Sequence, residues 1–183
     1  MKHEYRPIKR SRQLAALSRE HHDGLLFVWK IRQGVALNVP AKRIGSYCEW
    51  YWQNSMKDHF KKEESALSSL LPESDFLLNT MKEDHQAITV KMEQVIEDAT
   101  YYSLLRLAQI IYYHIRFEER SLFAHVEQVV PSEKLDEALL LLTEAHEPAE
   151  VWTDEFWTKK RANSPGKIPV ATRIHKTPSL SYN

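Results

Sequence analysis

Apolar residues recur at intervals of three, four and seven along most of this chain, as they do on one face of an α-helix. The pattern predicts five helices separated by short breaks. Gly34, Pro72 and Pro131 mark three of the breaks, because glycine and proline commonly stop a helix. The expected helices cover residues 11–33, 41–70, 74–98, 101–129 and 132–157.

Long amphipathic helices joined by short connections predict an all-α protein, specifically an up-down four-helix bundle with an additional C-terminal helix. Glycine is scarce, at 4 of 183 residues, which also favours helices over strands. We expect this helical domain to occupy residues 12–160. Residues 1–11 are predicted to be a basic, poorly ordered lead-in, and residues 161–183, which contain three prolines, a disordered, extended tail.

The charge balance argues against two classes of partner. Lysine plus arginine and aspartate plus glutamate number 25 each, which gives no reason to expect binding to nucleic acid or to an anionic membrane. No stretch reaches the roughly 18 apolar residues of a membrane span, and the N-terminus lacks the apolar run of a signal peptide. The single cysteine, Cys48, fits a reducing compartment. We therefore predict a cytoplasmic protein and leave its protein partner and oligomeric state open.

Each of the first four predicted helices carries a histidine on its apolar face. His21, for example, comes four residues after Leu17 and four before Leu25, and such positions share a helix face. One inward histidine is ordinary in a protein core, but one on each of four helices indicates a common site. The four histidines are His21, His59, His85 and His114.

Two of these helices also carry an inward carboxylate. Glu63 follows His59 by four residues and Glu118 follows His114 by four, so each pair stacks one helical turn apart. A buried, ionised glutamate is costly unless it is paired or bound to a metal. Imidazole and carboxylate together suit iron, manganese and zinc. The six residues therefore predict a pair of metal ions, with Glu63 and Glu118 bridging them.

In this prediction, one ion is held by His21 and His59 and the other by His85 and His114.

Three neighbours of these residues remain alternatives at this point. His22 lies about 100° around the helix from His21 and could replace it. Glu119 is adjacent to Glu118 and also acidic. His125, seven residues after Glu118, could be an additional ligand or could lie at the rim of the bundle.

Four stretches around these residues resemble the hemerythrin-like family, in particular its HHE cation-binding domain. The resemblance implies an up-down bundle with a carboxylate-bridged, non-haem di-iron centre, in which an oxo or hydroxo group can also bridge the two iron ions. The ligand types alone leave manganese and zinc as alternatives. The stretches are LSREHHDGLLFVWKIRQG (17–34), HFKKE (59–63), EDHQAI (83–88) and HIRFEERSLF (114–123).

The chain departs from the oxygen-carrying members of that family. They have a second histidine four residues after the ligand of the third helix, where this chain has Thr89. The resemblance is therefore closer to hemerythrin-like iron sensors, and we expect binding or sensing of iron, dioxygen or nitric oxide. The first alternative is a di-iron enzyme that acts on dioxygen, peroxide or nitric oxide, or repairs iron–sulfur clusters. The second is iron buffering or delivery.

Overall fold

The structure, a computed structural model, describes residues 10–142 and 151–158, and all regular secondary structure in these ranges is helical. This confirms the all-α prediction. Two of the helices contain a π-helical turn, in which one extra residue is accommodated. The helices are α1 (Ala15–Ala36), α2 (Ala41–Tyr51, the π turn Trp52–Met56 and Lys57–Leu70), α3 (Phe76–Glu97), α4 (Tyr101–Phe117, the π turn Glu118–Leu122 and Phe123–Val129) and α5 (Ser132–Leu142).

Side chains at the breaks start two of the helices. The Asp75 carboxylate accepts hydrogen bonds from the backbone N–H groups of Leu77 and Leu78 and so caps α3. Thr100 and Ser103 form a reciprocal capping box at the start of α4. These local signals explain why the predicted starts of both helices lie within two residues of the observed ones.

The prediction that the fifth helix continues to Trp157 is wrong. Helix α5 is described up to Leu142, but residues 151–155 have no regular secondary structure and residues 156–158 form a turn. The prediction did not take account of Pro148. Proline has no N–H for a helical hydrogen bond, and it disfavours helical geometry in the preceding residue. The first helix also differs slightly, since it begins at Ala15 and continues to Ala36.

Residues 151–158 dock on the start of α2 and the end of α1. The Phe156 ring is buried there, and a Cβ atom at Gly34 would lie 2.7 Å from it, so glycine is required for this close approach. The Arg43 guanidinium donates to the Asp154 carboxylate at the surface of the same contact. The segment therefore covers one end of the helical core.

Helices α1 and α3 each pack against both α2 and α4, and α5 lies against the C-terminal part of α2. Two separate apolar clusters fill the interior. On α1, Leu17 belongs to one cluster and Phe27 to the other; on α3, Met81 and Ile88 are divided in the same way. His21 lies between the first pair and His85 between the second, so polar residues separate the two apolar clusters.

The predicted tail (161–183) lies outside the described residues, as does most of the predicted lead-in (1–11). In ranges 10–142 and 151–158, no helix has the length and apolar character needed to cross a membrane.

Candidate metal centre

The six predicted ligands come together where the two apolar clusters meet, and we call them the histidine–glutamate cluster. His59 keeps 12% of its side chain exposed. The other five predicted ligands are the buried polar or charged residues of the described part of the chain: His21, Glu63, His85, His114 and Glu118.

Glu118 lies at the centre of this cluster, with its two oxygens facing different histidines. Its Oε2 atom is 3.1 Å from His21 Nε2. Its Oε1 atom is 3.1 Å from His114 Nε2 and 3.6 Å from His85 Nε2. One carboxylate therefore reaches both predicted pairs of histidines.

Glu63 approaches the same histidines from α2. Its Oε2 atom is 3.6 Å from His59 Nε2 and 3.5 Å from His85 Nε2, and its Oε1 atom is 3.9 Å from His21 Nε2. The structure thus contains two groups whose ligand atoms lie within 4.8 Å of one another, and each could hold a metal ion. They are Glu63 with His85, His114 and Glu118, and Glu63 with His21 and His59.

The inward atoms of the cluster are buried without hydrogen-bond partners. This is true of both oxygens of Glu63 and Glu118 and of Nε2 of His21, His85 and His114. Each unsatisfied buried polar group costs roughly 1–3 kcal/mol, and more if it is charged. Nitrogen and carboxylate oxygen are ligand atoms for divalent metals, so the residues present fit such ions.

The neighbouring carboxylates raise the pKa of three of the cluster histidines, His21, His85 and His114. Burial opposes protonation of His21, but the carboxylates of Glu118 and Glu119 outweigh it and raise its pKa to about 10. Burial likewise disfavours the ionised form of Glu118, yet His114 and the other histidines lower its pKa well below the usual value. Since a metal requires deprotonated imidazole nitrogens, we expect metal binding to release protons.

The outward nitrogen of every cluster histidine donates to a carboxylate on another helix. The Nδ1–O distances are 2.8 Å from His21 to Glu119, 2.7 Å from His59 to Glu20, 2.8 Å from His85 to Glu64 and 3.3 Å from His114 to Asp84. Because an ionised carboxylate only accepts, a neutral histidine in this contact carries its proton on Nδ1 and directs the Nε2 lone pair into the cluster.

The structure separates the neighbours that the sequence left as alternatives. His22 is exposed, whereas His21 lies in the cluster. Glu119 faces away from the centre: it accepts from His21 Nδ1 and from the Ser18 hydroxyl, and the Arg10 guanidinium also donates to it.

His125 lies outside the cluster. Its Nε2 atom donates to the Asp75 carboxylate at 2.8 Å, and the buried residue of that turn is Val126 instead. Of the two alternatives that the sequence left for His125, this position does not support an additional ligand, and the side chain is 30% exposed. The π turn Glu118–Leu122 inserts one residue into the helical repeat and moves the inward position from 125 to 126.

A cavity of about 20 Å³, counted as the space open to the centre of a water molecule, reaches the cluster between α1, α2 and α4. This is room for one water or a molecule of similar size. Polar and apolar groups both line it, the former including Tyr51 and Ser55. The remaining lining residues are Glu20, His21, Gly24, Met56, His59, Phe60, Ile111, His114 and Ile115.

Sequence reasoning missed the role of Glu20, Glu64 and Asp84 and the rings that pack on the histidines. Phe60 stacks on His85 with ring centroids 3.8 Å apart, and Phe123 stacks on His21 at 5.3 Å. A usable signal for the carboxylates was present, because each lies beside a predicted ligand in the sequence.

No family model, curated protein or solved structure matches the chain. The resemblance to hemerythrin-like proteins therefore stays a prediction.

Proposed function

We propose that this chain is a metal-binding protein whose histidine–glutamate cluster holds a carboxylate-bridged pair of iron ions. The observation that carries the proposal is the set of unsatisfied, buried oxygens of Glu63 and Glu118 between inward Nε2 atoms. At the junction of two apolar clusters, leucine would pack better than a buried carboxylate. Packing therefore does not account for these two carboxylates. A pair of cations would satisfy them.

The distances support a division of the ligands between two ions. His21 and His59 would hold one ion, and His85 and His114 the other. Glu118 would bridge them, because its Oε2 atom faces His21 and its Oε1 atom faces His114. Glu63 would be the second bridge, since it lies within 4 Å of histidines from both pairs.

We further propose that the chain is a hemerythrin-like protein of the HHE type, in which α1 to α4 form an up-down bundle and α5 is an addition to it. The four similar sequence stretches support this, as does the packing of α1 and α3 against both α2 and α4. A cytoplasmic location stays a prediction that rests on the sequence.

For activity, we propose binding or sensing of iron, dioxygen or nitric oxide. A di-iron centre supplies reversible redox chemistry and open coordination positions. The cavity beside His21, His59 and His114 has room for a ligand of about the size of water, which supports this proposal. The same cavity also favours the alternative of a di-iron enzyme acting on dioxygen, peroxide or nitric oxide. Turnover of peroxide or nitric oxide well above that of free iron would favour the enzyme.

Elemental analysis of protein purified without a histidine tag or chelator, and then reconstituted with ferrous iron, tests the proposal. We expect two iron ions per chain, expect His21→Ala to lose metal, and expect the matched control His22→Ala to keep it, because His22 is exposed. Two zinc or two manganese ions per chain would support the metal site but would refute iron as its metal. Absence of metal after reconstitution would refute the central proposal.

A further inference from the structure

The outer carboxylates of the cluster form a closed circuit around the helices. Glu20 of α1 accepts from His59 of α2, and Glu64 of α2 accepts from His85 of α3. The other two contacts continue in the same direction and return to α1: Asp84 of α3 accepts from His114 of α4, and Glu119 of α4 accepts from His21 of α1.

We infer that Glu20, Glu64, Asp84 and Glu119 are positioning residues, by which each of the four helices orients the ligand histidine of the next. The inference rests on the proposed function, since it concerns how the same cluster receives its metal ions. It assigns these four carboxylates no direct contact with metal.

Placement in the sequence makes the circuit possible. Each outer carboxylate is directly adjacent to a cluster residue: Glu20 precedes His21, Glu64 follows Glu63, and the same holds for Asp84 and Glu119 beside His85 and Glu118. Adjacent residues point about 100° apart on a helix. When the ligand faces the cluster, its neighbour therefore faces an adjoining helix.

The contacts fix two properties of each histidine. They hold the orientation of the ring, and they leave the Nε2 atom as the inward-facing acceptor. The Nε2 atoms of His21, His85 and His114 face the oxygens of Glu63 and Glu118 across the cluster, at distances from 3.1 to 3.9 Å. Carboxylate partners also make a ligating imidazole more basic, and their loss typically costs about 10–100-fold in metal affinity.

The outer carboxylates are suited to mutation. The side chains of Glu20, Glu64 and Asp84 are 33–41% exposed, so their removal opens no cavity in the core. Glu83, which is exposed and adjacent to Asp84, is a matched control because it belongs to α3 but not to the circuit.

The test measures the affinity of the full chain for cobalt(II) alone, by competition with a chelator, together with the visible absorption of the cobalt. We expect Glu20→Ala, Glu64→Ala and Asp84→Ala each to bind cobalt about 10–100-fold more weakly than wild type and to show an altered spectrum. Glu64→Gln should recover part of the affinity, since its amide oxygen can still accept from Nδ1. Glu83→Ala should behave as wild type.

The outcomes separate the two proposals. If wild type binds no cobalt, the proposed function fails. If wild type binds cobalt and the circuit variants match Glu83→Ala in affinity and spectrum, the positioning role is wrong and the metal centre stands. Circular dichroism identifies any alanine variant that does not fold, and the glutamine variant at the same position then provides the measurement.

Discussion

Two buried regions of this molecule are held together in different ways. At the end where α1 meets α2, aromatic rings fill the interior: Phe27 stacks on Tyr51 with centroids 4.2 Å apart, and Phe156 packs edge-on against Tyr47 at 5.3 Å. In the middle of the helices, carboxylates and imidazoles occupy the core and their inward atoms have no hydrogen-bond partners. The aromatic end is a packed apolar core, whereas the histidine–glutamate cluster is a group of buried polar residues that could hold a metal ion.

The comparison therefore separates two sources of stability. Burial of the aromatic rings contributes to folding under all conditions, in proportion to the apolar area removed from water. If the proposed metal centre is correct, the contribution of the cluster will depend on the concentration of metal through mass action. Variants in the two regions should respond differently when metal is added.

The largest expected effect belongs to Glu118→Gln. This change keeps the shape of the side chain but removes the charge that faces both pairs of histidines. We expect the stabilisation by added metal to disappear, a loss of about 4 kcal/mol for each ion present at a thousandfold excess over its dissociation constant. Denaturant unfolding with and without ferrous iron measures it. Glu83→Gln is the control, and an unchanged metal-dependent shift in Glu118→Gln would contradict the proposed metal centre.

Phe156→Ala should disrupt the aromatic end. Removing a buried phenylalanine costs about 3–5 kcal/mol in unfolding free energy, and here the loss should be the same with and without metal, because Phe156 lies in the other region. The same unfolding experiment measures it. Val151→Ala, an exposed change in the same segment, should be neutral. A Phe156→Ala effect that depends on metal would mean that the two regions are coupled.

Arg10→Gln should have an intermediate effect. The buried guanidinium donates to Glu119 and to Glu127, and charged hydrogen bonds of this kind contribute about 1–3 kcal/mol. Thermal or chemical unfolding of the metal-free protein gives the loss. Arg12→Gln serves for comparison, because the exposed ion pair of Arg12 with Asp136 is worth about 0–1 kcal/mol. Equal effects of the two substitutions would argue against a structural role for Arg10.

Substitution of Asp75 should have the smallest effect on the free energy of unfolding. Asp75 also makes this free energy depend on pH, independently of the histidine–glutamate cluster. Asp75→Ala removes the cap of α3 and should cost about 1 kcal/mol, whereas Asp75→Asn should keep the cap. Burial opposes ionisation of Asp75, but the N–H of Leu78 and the His125 side chain together lower its pKa below the ordinary 3.8. The charged form therefore adds stability above pH 3.8, and this is lost as the pH falls through the lower folded pKa.

Unfolding of wild type and Asp75→Asn across acidic pH measures this dependence. The gap between the two proteins should close at low pH. A gap that persists below the pKa of the folded state would show that the charge of Asp75 is not its source.

Helical periodicity was sufficient to predict the helices and to select the six inward residues. It worked because an apolar face leaves few explanations for His21 or Glu118 in its middle. It could not decide between the two alternatives for His125, because a repeat of 3.6 residues per turn does not reveal the extra residue that a π turn adds. It also failed at residues 151–157, which were predicted to be helical although Pro148 precedes them.

The outer carboxylates show a different limit. Their partners lie on other helices, so the contacts depend on how each helix is rotated against its neighbours. Glu64 and Asp58 each lie directly beside a predicted ligand in the sequence, yet the first accepts from His85 and the second is exposed. Spacing along one helix cannot distinguish them.

The closed circuit has a consequence for synthesis of the chain. Domains emerge from the ribosome with the N-terminal part first. A nascent chain that has released α1 to α3 lacks His114 and Glu118, and it also lacks Glu119, the acceptor for His21. The first histidine of the cluster is therefore oriented by a residue of the fourth helix. The complete set of six predicted ligands therefore exists only after translation has passed Glu118 in α4.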